Sequence, residues 1–358
     1  MKLKSLFILV LAIAIGGLIY YTNAKPREDL LGDNSFLLPG LAKVLNDVTK
    51  LTVTESGNTA LTIISKSDNN WVVENRDGYE ANMAAVRTVF NKLAEAKLIE
   101  AKTSNPENYS KLGVEDVKNS TAQGVEFSIE GLSEPINIIA GNDGSASKST
   151  QYIRRAGEEQ SWLINKKLNL NRDVTQWLRT DILDIAPERI KSIQIAHLDG
   201  SEISIENKGT EEYEFTLTNT LPEGKKVSES EIYQVANALS SMQLRDVASL
   251  ERLHEDLVQP TITTFVTYDG LTITAKTFTE EQEAYSTIEI EFNADQVDSS
   301  RHVEAEQSDP AMKFDPKAAE ELAQKTAPRL KDWAYVLPTI THNALVKKLE
   351  DFFLDEDA

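Results

Sequence analysis

Short runs in which apolar and polar residues alternate recur along the chain, and they recur twice in the same order. The first series opens on Leu51-Thr52-Val53-Thr54, turns at Ser56-Gly57 and returns through Leu61-Thr62-Ile63-Ile64. Period-two alternation around a glycine turn predicts a β-hairpin. A third strand, Trp71-Val72-Val73-Glu74, follows the turn Asp68-Asn69-Asn70. The spacing then changes to that of a helix, beginning near Asn82, with Val86, Val89, Phe90, Leu93 and Ala94 on one face and an end near Leu98-Ile99.

The second series repeats these steps. Ile190, Ile193 and Ile195 lead to a turn at Asp199-Gly200, then to Ile203-Ser204-Ile205 and a third strand, Tyr213-Glu214-Phe215-Thr216. A helix starting at Ser228 or Ser230 carries Ile232, Val235, Ala236 and Leu239 inward and ends near Leu244. The parallel continues. Val125 to Gly131 matches Thr264 to Gly270, Ser161-Trp162-Leu163-Ile164 matches the stretch from Asp332 to Leu337, and each copy closes on a short apolar segment predicted helical, Val174 to Leu183 and Leu345 to Leu354. The offset between matched positions drifts from about 138 to 146 and then jumps to 171 between Trp162 and Trp333. That jump places an insertion at about 293–330, with an amphipathic helix from Pro316 to Ala327 at its core.

The predicted fold class is α+β: two tandem related domains, each an antiparallel strand-rich unit packed on one main helix, after an N-terminal transmembrane helix. Residues 1–24 are the expected anchor, 25–50 a tether broken by Pro26, Gly32, Asn34, Pro39 and Gly40, 51–186 the first domain and 187–358 the second.

The anchor rests on an uncharged run from Ser5 to Tyr21, preceded by Lys2 and Lys4 and closed by Tyr20 and Tyr21. As a helix it rises about 25 Å, the short end of what a bilayer core requires. Thr22-Asn23-Ala24 is a passable cleavage site, so a removed signal peptide is the competing reading. The length of the run and the terminal tyrosines favour retention. The leading lysines, with the positive-inside rule, put the N-terminus in the cytoplasm and the body outside it.

Composition narrows the functions. The chain has 358 residues, 41% hydrophobic and 26% charged, enough for two folded domains. Its 57 acidic against 37 basic residues give a formal charge of −20, which disfavours nucleic acid as a partner. With no cysteine, disulfides, thiolate metal sites and cysteine nucleophiles are excluded.

Candidate chemistry is sparse. His197, His254, His302 and His342 show no metal-ligand spacing. Neither a GxSxG elbow nor a phosphate-cradling glycine loop occurs. Ser145-Ala146-Ser147-Lys148 and Ser67-Asp68-Asn69 spell two motifs of penicillin-recognising enzymes, but in reversed order, without a KTG, and with Ser145 in a polar loop instead of at the start of a helix. They read as chance. No catalytic residue, cofactor or metal is expected. Arg154-Arg155 ahead of Gly157-Glu158-Glu159 is the most suggestive polar cluster, although a hairpin pairing arginines with glutamates explains it more simply. Trp162 and Trp333 read as core anchors before binding platforms. Arg154, Arg155, Tyr109, Trp333 and Tyr335 are the residues singled out for an interaction surface.

Several stretches resemble domain-of-unknown-function family 4340. They are Trp71-Val72-Val73-Glu74 with Arg76-Asp77-Gly78-Tyr79, Asn82 to Arg87, Lys102 to Tyr109 with Leu112 to Asp116, Tyr152 to Glu158 with Gln160 to Leu163, and Trp333-Ala334-Tyr335 with Leu337-Pro338. The likeness spans roughly residues 50–354 and is loosest over about 200–310. The family is similar to auxiliary components of gliding-motility-type ABC transport systems and carries no established catalytic residues. The resemblance therefore implies a single-pass protein of the bacterial inner membrane, its bulk periplasmic, with permease and ATPase subunits as partners.

The leading expectation is thus a non-catalytic, membrane-anchored accessory of an ABC-type transport assembly. The alternative is a free-standing periplasmic module that binds glycan, or binds peptide by strand addition. A hydrolase using carboxylates from acidic loops comes third.

Overall fold

A nine-stranded antiparallel sheet forms the frame of the first half of the chain. The computed structural model describes residues 35–67, 70–145, 147–208, 214–253, 260–280, 282–298 and 314–355. They divide into two compact units, the first ending at Trp177 but without Arg76–Tyr79, the second comprising Arg76–Tyr79 and the chain from Leu178.

The strands of the first sheet are β1 (Lys50–Glu55), β2 (Thr59–Ser67), β3 (Asn70–Val73), β4 (Tyr79–Glu80), β5 (Leu98–Ala101), β6 (Val125–Glu130), β7 (Ile136–Asp143), β8 (Gln151–Arg155) and β9 (Ser161–Ile164). Their order is β4-β3-β2-β1-β6-β7-β8-β9-β5. Alternation sets the register: Leu51 and Val53 of β1 lie opposite Ile64 and Thr62 of β2 and opposite Ile129 and Phe127 of β6, and all six are buried. Gly131 ends β6 at φ 97°, and a Cβ there would stand 2.6 Å from the Thr49 amide nitrogen. That position requires glycine.

Helices α1 (Leu41–Val44), α2 (Met83–Glu95) and α3 (Tyr109–Leu112) complete this unit. Asn82 caps α2 by accepting from the amides of Ala84 and Ala85. Val86, Val89, Phe90 and Leu93 are buried, each worth about 1.5–3 kcal/mol of burial. Phe90 meets Trp71 of β3 at 6.0 Å between ring centroids, which ties the helix to the sheet.

The strands of the second unit are β10 (Asp181–Leu183), β11 (Ile190–Ala196), β12 (Glu202–Asn207), β13 (Phe215–Leu217), β14 (Lys225–Val227), β15 (Met242–Gln243), β16 (Asp246–Ser249), β17 (Thr261–Thr267), β18 (Leu271–Glu280), β19 (Glu283–Phe292), β20 (Trp333–Val336) and β21 (Phe353–Asp355). Eight form an antiparallel sheet in the order β13-β12-β11-β17-β18-β19-β20-β16, while β10 pairs with β15 and β14 with β21. Helix α4 (Glu229–Ala236) buries Ile232, Val235 and Ala236, α5 (Pro316–Leu330) packs along β19, and α6 (Thr339–Leu345) lies against α4. The fold is strand-rich α+β, as expected.

Three sequence readings need correction. Residues 35–49, assigned to a tether, pack into the first unit: Leu37, Leu38, Leu41 and Val48 are buried, and the Leu37 amide donates to the Ala96 carbonyl at 2.8 Å. Val174 to Leu183 is one 3-10 turn, Val174–Trp177, followed by β10, because its backbone groups find a partner in β15. Leu345 to Leu354 likewise begins at the end of α6, passes through a 3-10 turn, Leu349–Phe352, and ends in β21, paired with β14. Short apolar runs do not distinguish strand from helix by periodicity. The expected N-terminal span at residues 5–21 lies outside the described residues, and among those described no helix is long and apolar enough to cross a membrane.

Candidate functional site

Arg154 sits on β8, where four consecutive residues are buried. Its side chain is 3% exposed and its donors are spent inside the protein. Nε donates to the Val114 carbonyl at 2.9 Å, Nη1 to the Glu158 carbonyl at 3.0 Å and Nη2 to the Asp116 carboxylate at 2.6 Å. The guanidinium also stands 4.6 Å from the centroid of the Tyr109 ring, within cation–π range.

Tyr109 reaches that place because the chain around it is punctuated. Asn105 accepts from the Glu107 amide, Pro106 opens a 3-10 turn that runs into α3, and Gly113 ends the helix at φ 68°. The Tyr109 hydroxyl donates to the Glu159 carbonyl at 2.6 Å, and burial pushes its pKa up. Val114, Ile139, Tyr152 and Leu163 enclose the ring. Arg155 points elsewhere, pairing with Glu158 at 3.2 Å and donating to the Leu37 carbonyl at 2.5 Å. Tyr109 and Arg154 come together, as a clasp that closes the β8–β9 turn over α3, whereas Arg155 stays outside it.

Trp333 and Tyr335 lie in the second unit, two residues apart on β20 and so on one face. Tyr79, of the same unit, meets both edge-on, at 4.9 Å to Trp333 and 6.3 Å to Tyr335. Tyr335 is fully buried, and desolvation drives its hydroxyl far above the ordinary range, with Tyr79 adding to the shift and Arg329 and Arg179 opposing it.

The remaining sequence candidates fall into structural roles. His197 hydrogen-bonds the Lys347 carbonyl at 3.1 Å and the Thr261 hydroxyl at 3.3 Å. Burial lowers the pKa of His342 on α6. His254 and His302 lie outside the described residues. Ser145 and Lys148 occupy turns, and Ser145 Oγ contacts the Tyr152 hydroxyl at 3.3 Å. Among the described residues no group of three His, Asp or Glu could hold a metal.

Sequence reasoning missed a cavity of about 590 Å³ in the second unit, bounded by β10, β15 and α5. Arg179, Asp181, Asp184, Lys325, Thr326 and Arg329 contribute its polar lining. Its one local signal is the spacing of Lys325 and Arg329, a single helical turn apart. Arg179 lies far away in sequence and joins them through tertiary structure.

The family model for the domain of unknown function DUF4340 matches residues 71–261, more than half of the chain. The chain belongs to this family. No curated protein and no solved structure matches it. Most of the sequence stretches that suggested DUF4340 fall inside the matched segment, Arg155 and the clasp of Tyr109 and Arg154 included, whereas Trp333, Tyr335 and α5 lie beyond its C-terminal limit.

Proposed function

We propose that this DUF4340 protein is a non-catalytic accessory subunit of an ABC-type transport assembly, held in the bacterial inner membrane by one N-terminal helix with its bulk in the periplasm. The uncharged run Ser5–Tyr21 behind Lys2 and Lys4 carries the membrane placement. Where the sequence offered its most reactive-looking cluster, the donors are consumed in holding a turn, which suits a binding scaffold better than a catalyst.

On the same reading, the two units are copies of one ancestral domain. The order β3-β2-β1-β6-β7-β8-β9-β5 corresponds strand for strand to β13-β12-β11-β17-β18-β19-β20-β16. Val86, Val89 and Leu93 correspond to Ile232, Val235 and Leu239, all buried. Gly131 at φ 97° and Gly270 at φ 92° lie in the turns that follow the corresponding strands β6 and β17.

Affinity purification of the tagged full-length protein from mild-detergent extracts tests the role. A permease and an ATPase are expected to co-elute, and deletion of the protein is expected to impair the transport they perform. Recovery of neither subunit, together with unimpaired transport in the deletion strain, would refute the assignment. Retention on purified cell-wall sacculi in their place would point to a free-standing glycan-binding module.

A further inference from the structure

The cavity of the second unit has no part in the proposed transport role, yet its lining has a definite chemistry. We propose that it binds a small anionic ligand, gripping carboxylate or phosphate oxygens with Lys325, Arg329 and Arg179. At about 590 Å³ it has the volume of a small-molecule site.

Leu322, Lys325, Thr326 and Arg329 follow one another on α5 at the spacing of a single face, and all four line the cavity. Lys325 and Arg329 are therefore like charges one turn apart, an arrangement that destabilises a helix unless an anion offsets it. Neither pairs with a carboxylate among the described residues. Elsewhere in this unit Arg189, Lys191, Lys208, Arg245, Lys276 and Lys347 each hold one. Lys325 is exposed and Arg329 half-buried, and both line the cavity.

Arg329 is also set in place. It donates to the carbonyls of Asp181 at 2.9 Å and Ile182 at 2.5 Å, which leaves its other N–H donors uncommitted. A guanidinium fixed in this way binds oxygen pairs without first losing rotamer freedom. Neither acid of the lining forms an ion pair with Lys325 or Arg329 among the described residues. The Asp184 carboxylate accepts from the Ser241 amide at 2.8 Å, and Asp181 is exposed.

Calorimetric titration of the full-length protein in detergent at low ionic strength, with inorganic phosphate and separately with succinate, tests the proposal. Lys325→Gln and Arg179→Gln are the variants, and Arg329 is left intact because it also anchors β10. Saturable one-to-one binding of at least one probe is expected, weakened about tenfold or more by either substitution. Binding of phosphate alone assigns a phosphate ligand, binding of succinate alone assigns a carboxylate, and binding of both leaves the shared anion chemistry as the assignment. No binding of either probe, or binding equally tight in both variants, overturns the proposal.

Discussion

Arg154→Ala is expected to destabilise the first unit by about 3 kcal/mol or more, although the residue looks like a surface-site candidate in the sequence. The change removes a donor from the buried carbonyl of Val114 and another from the carbonyl of exposed Glu158, and a buried acceptor left without a partner costs about 1–3 kcal/mol. Loss of the contact with the Tyr109 ring adds about 0.5–2 kcal/mol. Asp116→Asn should cost far less, about 1 kcal/mol or below, because that carboxylate is 66% exposed and its ion pair is screened by water. Arg154→Lys should fall between the two, since a single ammonium cannot reproduce the planar fork that reaches three acceptors. Hydrogen exchange resolved to the peptides of β7, β8 and β9 separates this unit from the other and reads the effect directly. Equal protection in Arg154→Ala and the parent would show that the clasp does not hold the turn.

The second large effect is expected at Asp269. Its carboxylate, 1% exposed, accepts from Arg189 at 2.6 and 2.9 Å and from the Thr267 hydroxyl at 2.5 Å. Asp269→Ala leaves the Arg189 guanidinium, itself only 11% exposed, without its counter-charge. Breaking a buried pair from one side costs about 3–5 kcal/mol. Removing both charges with Arg189→Met and Asp269→Leu together should cost clearly less than the sum of the single changes, because neither partner is then left charged in an apolar setting. Urea unfolding followed by the exchange of β11 and β17 peptides provides the measurement. Additive losses would mean that the pair is not coupled.

These two sites also show what the sequence can and cannot disclose. Alternation located β1, β2, β6, β11, β12 and β17 to within a few residues, because one face of each is buried and a period of two leaves little freedom of register. Helical spacing placed α2 and its buried face, and the sequence 105–113 announced a capped short helix. The clasp was only half visible. Arg154 stands out beside Glu158, but its decisive partners, Val114 and Asp116, lie forty and thirty-eight residues away and carry no local signature. The Arg189–Asp269 pair was invisible for a different reason. The position matched to Asp269 in the first series is Glu130, which is exposed, so comparing the two series gives no hint of a buried charge. Residues 35–49 misled through their proline and glycine, which mark turns whether or not the leucines between them are buried. The cavity joins Arg179 to a helix read as an insertion, and nothing in either segment names the other.

The claim on which the functional account stands is that both units lie outside the cytoplasm behind a retained N-terminal helix. The chain's lack of cysteine makes this directly measurable. Ser133→Cys in the first unit and Ser240→Cys in the second, both at exposed positions, each supply the chain's sole thiol. Treated with a membrane-impermeant maleimide in cells whose outer membrane alone is permeabilised, both variants are predicted to label fully and to sediment with the membranes. Labelling that appears only after the inner membrane is lysed would contradict the account.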